Sequence, residues 1–186
     1  MRYFAFGSNM LSARLRARVG EFPAGVAGEV TGHQLRFHKR SVDGSAKCDA
    51  YHTEDPNDVL HGVVYHIDAA QQVLLDSFEG KGYSKLKIPV NVNGDRVAAY
   101  MYAADRDYVD PDLAPYHWYK QFVIAGANEF ALPKHYVRTI AKVPAVTDPD
   151  SDRHRRNMTV LNRHIAPRIP TAGEGTCAAR SRSACP

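Results

Sequence analysis

Apolar and polar residues alternate along several short stretches of the chain, as they do in β-strands, and recur at helical spacing along others. We predict β-strands over residues 1–6, 28–39 (with a bulge at Gly32), 46–51, 59–67, 83–92 and 96–103. We predict α-helices over residues 11–19, 69–78, 116–130, 134–142 and 152–164.

Residues that cap or break these elements support their boundaries. Asp68 is a good N-cap for the helix that follows it, in which Val73, Leu74 and Phe78 recur at helical spacing and predict the apolar face. Asn93-Gly94 is a strong signal for a tight hairpin turn between two strands.

The strands are interrupted too irregularly for a doubly wound sheet, so an α+β fold fits better. We expect a mixed β-sheet that closes into a small barrel, with peripheral helices. A chain of 186 residues is most simply one domain. We place this domain at residues 1–150 and interpret residues 151–186 as a basic C-terminal helix followed, after Pro170, by a disordered tail.

The net charge of +4 is unevenly distributed along the chain. Residues 151–186 contain seven arginines and two acidic residues, a balance of +5, whereas residues 1–150 have a balance of −1. A basic tail can bind nucleic acid or an anionic surface. A solvated terminus is the better interpretation, because the arginines are not interleaved with aromatic residues that stack on bases. Nucleic acid is therefore not the expected partner.

The sequence shows no membrane span and no secretion signal. No apolar run is long enough to cross a bilayer, and the N-terminus lacks a charged segment followed by a long apolar core. We therefore expect no membrane partner and a cytoplasmic location. The three cysteines indicate no disulfide framework, although a Cys177–Cys185 pair stays open under oxidation. The nine histidines form no closed set of metal ligands.

The most informative local segment is the corner Gly7-Ser8-Asn9, where an apolar strand turns into a helix. Free backbone N–H groups at such a corner can bind an anion or a developing negative charge. Ser8 is not in a G-x-S-x-G elbow, so we assign it a capping or loop role rather than that of a nucleophile. Several basic residues are expected to face water: Arg14, Arg16, Arg18, Lys39, Arg40 and the arginines of residues 153–156.

Glu79 is the carboxylate that we single out. It ends an apolar helix between Phe78 and Gly80, and we expect Phe78 and Tyr83 to shield it. Shielding raises the pKa of a carboxyl group towards neutrality, where the group can both accept and donate a proton. The alternative is an exposed glutamate at a helix end. A negative charge near a helix C-terminus opposes the helix dipole, which favours a functional reason for this residue.

Three segments, taken in order, resemble the γ-glutamylcyclotransferase family. Residues 3–9 resemble its opening Y-F-A-Y-G-S-N motif, residues 74–83 its L-D-x-x-E-G…Y segment, and residues 119–133 a third segment around M-G-A-K-E-x-G-L-P. Each motif is weak alone, and the three in sequence are more specific. The resemblance covers residues 3–142 and leaves the tail outside it.

The resemblance implies intramolecular aminolysis, in which the α-amine of a γ-glutamyl group attacks its own γ-carbonyl and yields 5-oxoproline and an amine or amino acid. It implies Glu79 as the general acid and base. It also implies a substrate-binding set: Phe6, Gly7, Ser8, Asn9, Met10, Tyr83 and Tyr119. No metal or cofactor is implied, because both reacting groups belong to one molecule. The expected partner is a small γ-glutamyl substrate, and a homodimer stays open.

Two positions depart from the family motifs. Phe6 stands where the family has a tyrosine, so one hydroxyl is missing beside the expected pocket. The third segment lacks the methionine and the later glycine of its motif, which we expect to affect packing only. The first departure supports an alternative function, a non-catalytic module that keeps the pocket for small metabolites.

Overall fold

Five strands close into a small barrel in the computed structural model, which describes residues 1–165 and their side chains up to residue 162. The barrel strands, in chain order, are β1 (Arg2–Ala5), β2 (Val26–Thr31), β5 (Val59–His66), β6 (Tyr83–Val92) and β7 (Asp95–Ala104). Their spatial order is β1-β5-β2-β6-β7, and β1 closes the barrel by pairing antiparallel with β5 and parallel with β7. The predicted mixed, closed sheet is confirmed.

The remaining strands, β3 (His33–Arg40) and β4 (Ala46–His52), form a two-stranded ribbon beside the barrel. The prediction of one strand over residues 28–39 is therefore wrong. Gly32 has a φ of +74°, a conformation that L side chains rarely adopt, and it turns the chain from β2 into β3. The expected bulge is thus the point at which the chain leaves the barrel.

The helices of the described region are α1 (Ser12–Val19), α2 (Ala69–Glu79), α3 (His117–Glu129), α4 (Lys134–Lys142) and α5 (Ser151–Ile165). Asp68 caps α2 as predicted, in a capping box with Gln71. The predicted apolar face of α2 is wrong, because Leu75 is the buried residue and the three residues at the predicted spacing are exposed: Val73, Leu74 and Phe78.

The corner after β1 is a short 3-10 helix, Ser8–Met10, that is held between the barrel and α3. Met10 and Leu11 are fully buried, and the Tyr65 hydroxyl donates a hydrogen bond to the Met10 carbonyl at 2.6 Å. On the other side, a Cβ on Gly126 of α3 would lie 2.5 Å from the Leu11 nitrogen. The glycine at position 126 therefore allows the corner to reach its place.

The missing glycine of the third motif affects the backbone as well as the packing. Ala131, which occupies that position just after α3, has a φ of +49°. This left-handed conformation costs an L residue about 1–2 kcal/mol. The Leu132 amide donates to the Ala127 carbonyl at 2.9 Å and closes the helix end. The chain thus keeps the turn without the residue that favours it.

The helix predicted over residues 152–164 is confirmed as α5. Arg153 is not solvated as expected, because its guanidinium pairs with the buried Asp148. The predicted disordered tail, Cys177 and Cys185 lie outside the described residues. Between residues 1 and 165, every helix is too short or too polar to cross a membrane.

Candidate active site

A cavity of about 320 Å³ lies between the corner after β1, the end of α2 and the ribbon. Its lining comes from distant parts of the sequence: Tyr3, Phe6, Gly7, Ser8, Asn9, Cys48, Glu79, Tyr83, Tyr102 and Tyr119. The structure thus brings Glu79 together with all but one of the residues expected to bind substrate. The exception is Met10, which is fully buried, does not line the cavity, and donates its amide to the Gly7 carbonyl.

Glu79 is the last residue of α2, and its side chain is 16% exposed. Its Oε1 accepts a hydrogen bond from Asn9 Nδ2 at 2.7 Å and lies 3.5 Å from Arg18 Nη1. Among the described residues, no donor contacts Oε2, so this oxygen is available to a ligand. Burial raises the pKa of the Glu79 carboxyl above its ordinary value, although Arg18, Asn9, Arg14 and Lys39 oppose that shift.

The shielding of Glu79 differs in one respect from the expectation. Tyr83 lines the cavity with Glu79, but Phe78 is exposed at the surface. The Phe78 ring packs against the Arg18 guanidinium, whose carbon lies 5.2 Å from the ring centroid. Phe78 therefore supports the arginine that contacts Glu79 rather than covering the carboxylate itself.

Asn9 connects three groups of the site. Its Nδ2 donates to Glu79 Oε1 and to the Tyr3 hydroxyl, the latter at 3.1 Å, and its Oδ1 accepts from Arg18 Nη1 at 2.9 Å. Because a guanidinium only donates, Arg18 determines which end of the Asn9 amide carries the oxygen. Both protons of the side-chain amide are engaged, so the Asn9 side chain positions Glu79.

Ser8 has an oriented hydroxyl. Its Oγ accepts a hydrogen bond from Arg14 Nε at 3.1 Å. Arg14 lies outside the cavity lining, and its guanidinium packs 4.3 Å from the centroid of the Phe122 ring. Since the hydroxyl oxygen accepts from a cation on one side, its own proton is free to be donated to a ligand.

The main chain of the corner contributes further donors. The Met10 amide is used within the turn, where it donates to the Gly7 carbonyl at 3.0 Å. The amides of Ser8 and Asn9 find no acceptor in the part of the chain that the structure describes, which is usual for the first turn of a helix. Unpaired amides of this kind stabilise a carboxylate or an oxyanion.

Tyr83 and Tyr119 both contact the main chain of Cys48 in the ribbon. The Tyr83 hydroxyl donates to the Cys48 carbonyl at 2.6 Å, and the Tyr119 hydroxyl accepts from the Cys48 N–H at 3.1 Å. These contacts satisfy the edge of β4 that does not pair with β3. Burial raises the pKa of both phenols, and it raises the pKa of the Cys48 thiol to about 12. All three groups therefore stay protonated at neutral pH.

Sequence reasoning missed three basic residues near Glu79, because it placed Arg14, Arg18 and Lys39 in water. Lys39 is buried, and its ammonium donates to the Lys81 carbonyl at 2.8 Å. All three cations favour the charged form of Glu79. The surroundings of this single carboxylate thus carry an excess of positive charge, which suits an anionic ligand.

A signal for the two arginines was present in the sequence. Arg14 and Arg18 are four residues apart and share one face of α1, whereas Arg16 lies on another face and pairs with the exposed Glu21 at 3.0 Å. The spacing separates the arginines into two groups. It does not show which group faces the barrel, because that depends on the packing of α1 against α2.

Within residues 1–165, no group of three or more histidine, cysteine, aspartate or glutamate side chains is placed to hold a metal ion. The site instead combines a shielded carboxylate that has one unpaired oxygen, an oriented hydroxyl and unpaired amides. Such an arrangement can transfer protons to and from a bound anionic substrate.

Comparison with known proteins identifies the fold. A sequence model of the AIG2-like family matches residues 59–140. A γ-glutamyl cyclotransferase of known structure is similar with a TM-score of 0.72 and 20% identity, over 87% of this chain and 98% of that chain. The uncharacterised human protein loc79017 has a TM-score of 0.70 and 23% identity, over 78% of this chain and 88% of that chain.

A yeast γ-glutamyl cyclotransferase specific to glutathione is more distant, with a TM-score of 0.53 and 13% identity, over 88% of this chain and 96% of that chain. No curated protein matches the sequence. At these identities the structural likeness establishes the fold, and the chemistry has to be argued from the site.

Proposed function

The chain belongs to the superfamily of AIG2-like and γ-glutamylcyclotransferase-like proteins, and on this premise we propose that it is a γ-glutamylcyclotransferase. In this proposal the enzyme converts a γ-glutamyl amide into 5-oxoproline and a free amine or amino acid. The observation that carries the proposal is the Glu79 carboxylate, which is shielded beside the cavity with Oε1 held by Asn9 and Oε2 unpaired.

The proton transfers can be assigned to this carboxylate. Oε2 of Glu79 accepts a proton from the α-ammonium of the bound glutamyl group, and the resulting amine attacks the γ-carbonyl carbon. Glu79 then donates the proton to the amide nitrogen as the carbon–nitrogen bond breaks. A carboxyl whose pKa is raised by burial is suited to both steps. The ring closure needs no second substrate, because nucleophile and electrophile are already on one molecule.

The anionic groups of the substrate find donors on the corner side of the cavity. The Ser8 hydroxyl, oriented by Arg14, and the amides of Ser8 and Asn9 are proposed to bind the α-carboxylate or the developing oxyanion. Arg14, Arg18 and Lys39 add positive charge around the site without occupying its lining. Phe6 forms part of the wall, and its missing hydroxyl removes one donor but no part of the proton-transfer apparatus.

The test is a panel of γ-glutamyl amino acids, peptides and amines, with release of 5-oxoproline as the readout. We expect turnover by the wild type and a loss of about 10³-fold in Glu79→Gln, since general acid–base catalysis contributes about 10²–10⁴-fold. Glu21→Gln is the matched control, because Glu21 is exposed and remote from the cavity. Full activity of Glu79→Gln would remove this residue from its assigned role. Calorimetric binding without turnover would support the metabolite-binding module instead.

A further inference from the structure

A second, more open cavity of about 590 Å³ adjoins the first one on the far side of Glu79. The two cavities share three lining residues, Glu79, Tyr83 and Tyr102. The second cavity, which we term the outer cavity, is completed by residues from α2 and β6: Asp76, Gly80, Ser84 and Lys85. Glu79 therefore lies in the wall that is common to both spaces.

This position has a consequence that rests on the proposed function. The carboxyl that protonates the scissile nitrogen must contact that nitrogen, so the substrate is cut next to Glu79. The glutamyl portion needs the enclosed inner cavity, where Ser8 and the corner amides lie. The other portion, attached through the scissile nitrogen, then extends past Glu79 into the outer cavity.

The lining of the outer cavity is polar and contains a positioned ion pair. Lys85 Nζ lies 2.7 Å from Asp76 Oδ2, and the Tyr102 hydroxyl donates to Asp76 Oδ1. The side chains of Lys85 and Asp76 are 38% and 36% exposed, so both can reach a ligand from water. Ser84 is directed away, since its hydroxyl donates to Asp105 at 2.6 Å. No aliphatic side chain contributes to this lining.

Charge separates the two members of the pair. Both oxygens of Asp76 already accept a hydrogen bond, one from Tyr102 and one from Lys85. The Lys85 ammonium has three protons, of which Asp76 takes one. The free valences of the outer cavity are therefore those of a cation.

We infer that the outer cavity is the leaving-group subsite, and that Lys85 selects leaving groups that carry a carboxylate over those that do not. Amino acids and peptides belong to the first class, and simple alkylamines to the second. An alkyl group in this cavity would meet no apolar side chain except the rings of Tyr83 and Tyr102.

The experiment compares two substrates that differ by one carboxylate, γ-glutamylalanine and γ-glutamylethylamide. We expect kcat/KM of the wild type to be about tenfold higher for γ-glutamylalanine, a moderate value because the ammonium is partly solvated. In Lys85→Met the ratio should fall towards one, with the ethylamide rate unchanged. Lys87→Met, which removes the same charge from the same strand outside the cavity, should keep the wild-type ratio.

Asp76→Asn gives an effect of opposite sign. Asparagine can still accept from Tyr102, while the lysine loses its counter-charge, so the preference for γ-glutamylalanine should increase. An equal loss on both substrates in Lys85→Met, or a wild type that does not distinguish them, overturns the inference while the cyclotransferase activity stands. If the wild type turns over neither substrate nor any other γ-glutamyl compound, the proposed function fails and the inference fails with it.

Discussion

Glu79 and Asp148 are two shielded carboxylates that each contact an arginine, yet their pKa values move in opposite directions. The Asp148 side chain is 0% exposed and both of its oxygens are saturated. Oδ2 accepts from Trp118 Nε1 at 2.8 Å and from Arg153 Nε at 2.7 Å, and Oδ1 accepts from Arg153 Nη2 at 2.5 Å and from the Asp150 amide at 2.9 Å. These hydrogen bonds, chiefly those from Arg153, hold the pKa of Asp148 well below its ordinary value.

Glu79 has fewer donors in a similar degree of shielding. Asn9 and the more distant Arg18 contact only Oε1, and burial therefore outweighs them and raises the pKa. The comparison shows that an adjacent arginine does not decide the state of a carboxylate. The number of oxygens with a donor decides it, and the carboxylate with an unpaired oxygen is the one suited to chemistry. Four changes test or sharpen this contrast.

The largest expected effect on stability is that of Asp148→Ala. The change leaves the Trp118 N–H and the Arg153 guanidinium without their acceptor, which should lower the free energy of unfolding by about 3 kcal/mol. Urea unfolding measures the loss, and turnover per folded molecule should not change. Asp152→Ala is the control, because the Asp152–Arg155 pair is exposed and should contribute less than about 1 kcal/mol. An unfolding curve like that of the wild type would contradict the structural role of Asp148.

Arg18→Gln should alter the pH dependence of catalysis. Loss of this cation raises the pKa of Glu79 further, so less of the carboxylate is available as a base in mildly acidic solution. We expect the acidic limb of the kcat profile to move to higher pH, with about a tenfold loss on that limb. Arg16→Gln removes a charge from the opposite face of the same helix and should keep the wild-type profile. Superimposable profiles for all three proteins would dissociate Arg18 from Glu79.

Arg14→Gln should act on binding rather than on proton transfer. The Ser8 hydroxyl loses the donor that orients it, and a net hydrogen bond of about 1 kcal/mol corresponds to roughly a fivefold increase in KM. Steady-state kinetics should show kcat nearly unchanged. A fall in kcat at constant KM would instead place Arg14 with the proton-transfer groups.

The smallest effect concerns stability and has a defined sign. A carboxyl whose folded-state pKa is raised binds its proton more tightly when folded, so its ionisation destabilises the protein as the pH rises past the ordinary carboxyl range of about 4.3. Glu79→Gln lacks this ionisation. Its stability relative to the wild type should therefore increase between pH 4 and pH 7, as followed by urea unfolding. A relative decrease over that interval would mean that Glu79 is stabilised as an anion.

Much of the fold was predictable because its signals are local. The capping box at Asp68 and the Asn93-Gly94 turn, with φ values of +52° and +94°, formed where the sequence predicted them. The ribbon was not predictable, because Gly32 is compatible with a bulge or a turn. The choice depends on whether β3 pairs with the barrel or with β4.

The site was predictable to the extent that it depends on short motifs. Glu79 and the corner residues 6–9 lie together around the inner cavity, and the resemblance had named them. The arginines of α1 and Lys39 were missed, because composition indicates water for isolated basic residues. Their burial follows from tertiary packing that no short segment specifies.

The anchorage of the ribbon at Cys48 has a consequence for sequence variation. Tyr83 and Tyr119 grip a peptide group, not a side chain, so any residue that fits beside Gly7 and keeps its N–H can occupy position 48. Proline alone is excluded on chemical grounds. New cavity shapes can therefore arise by exchange of ribbon residues while the carboxylate on α2 keeps its own supports, which makes selectivity and reactivity separately evolvable.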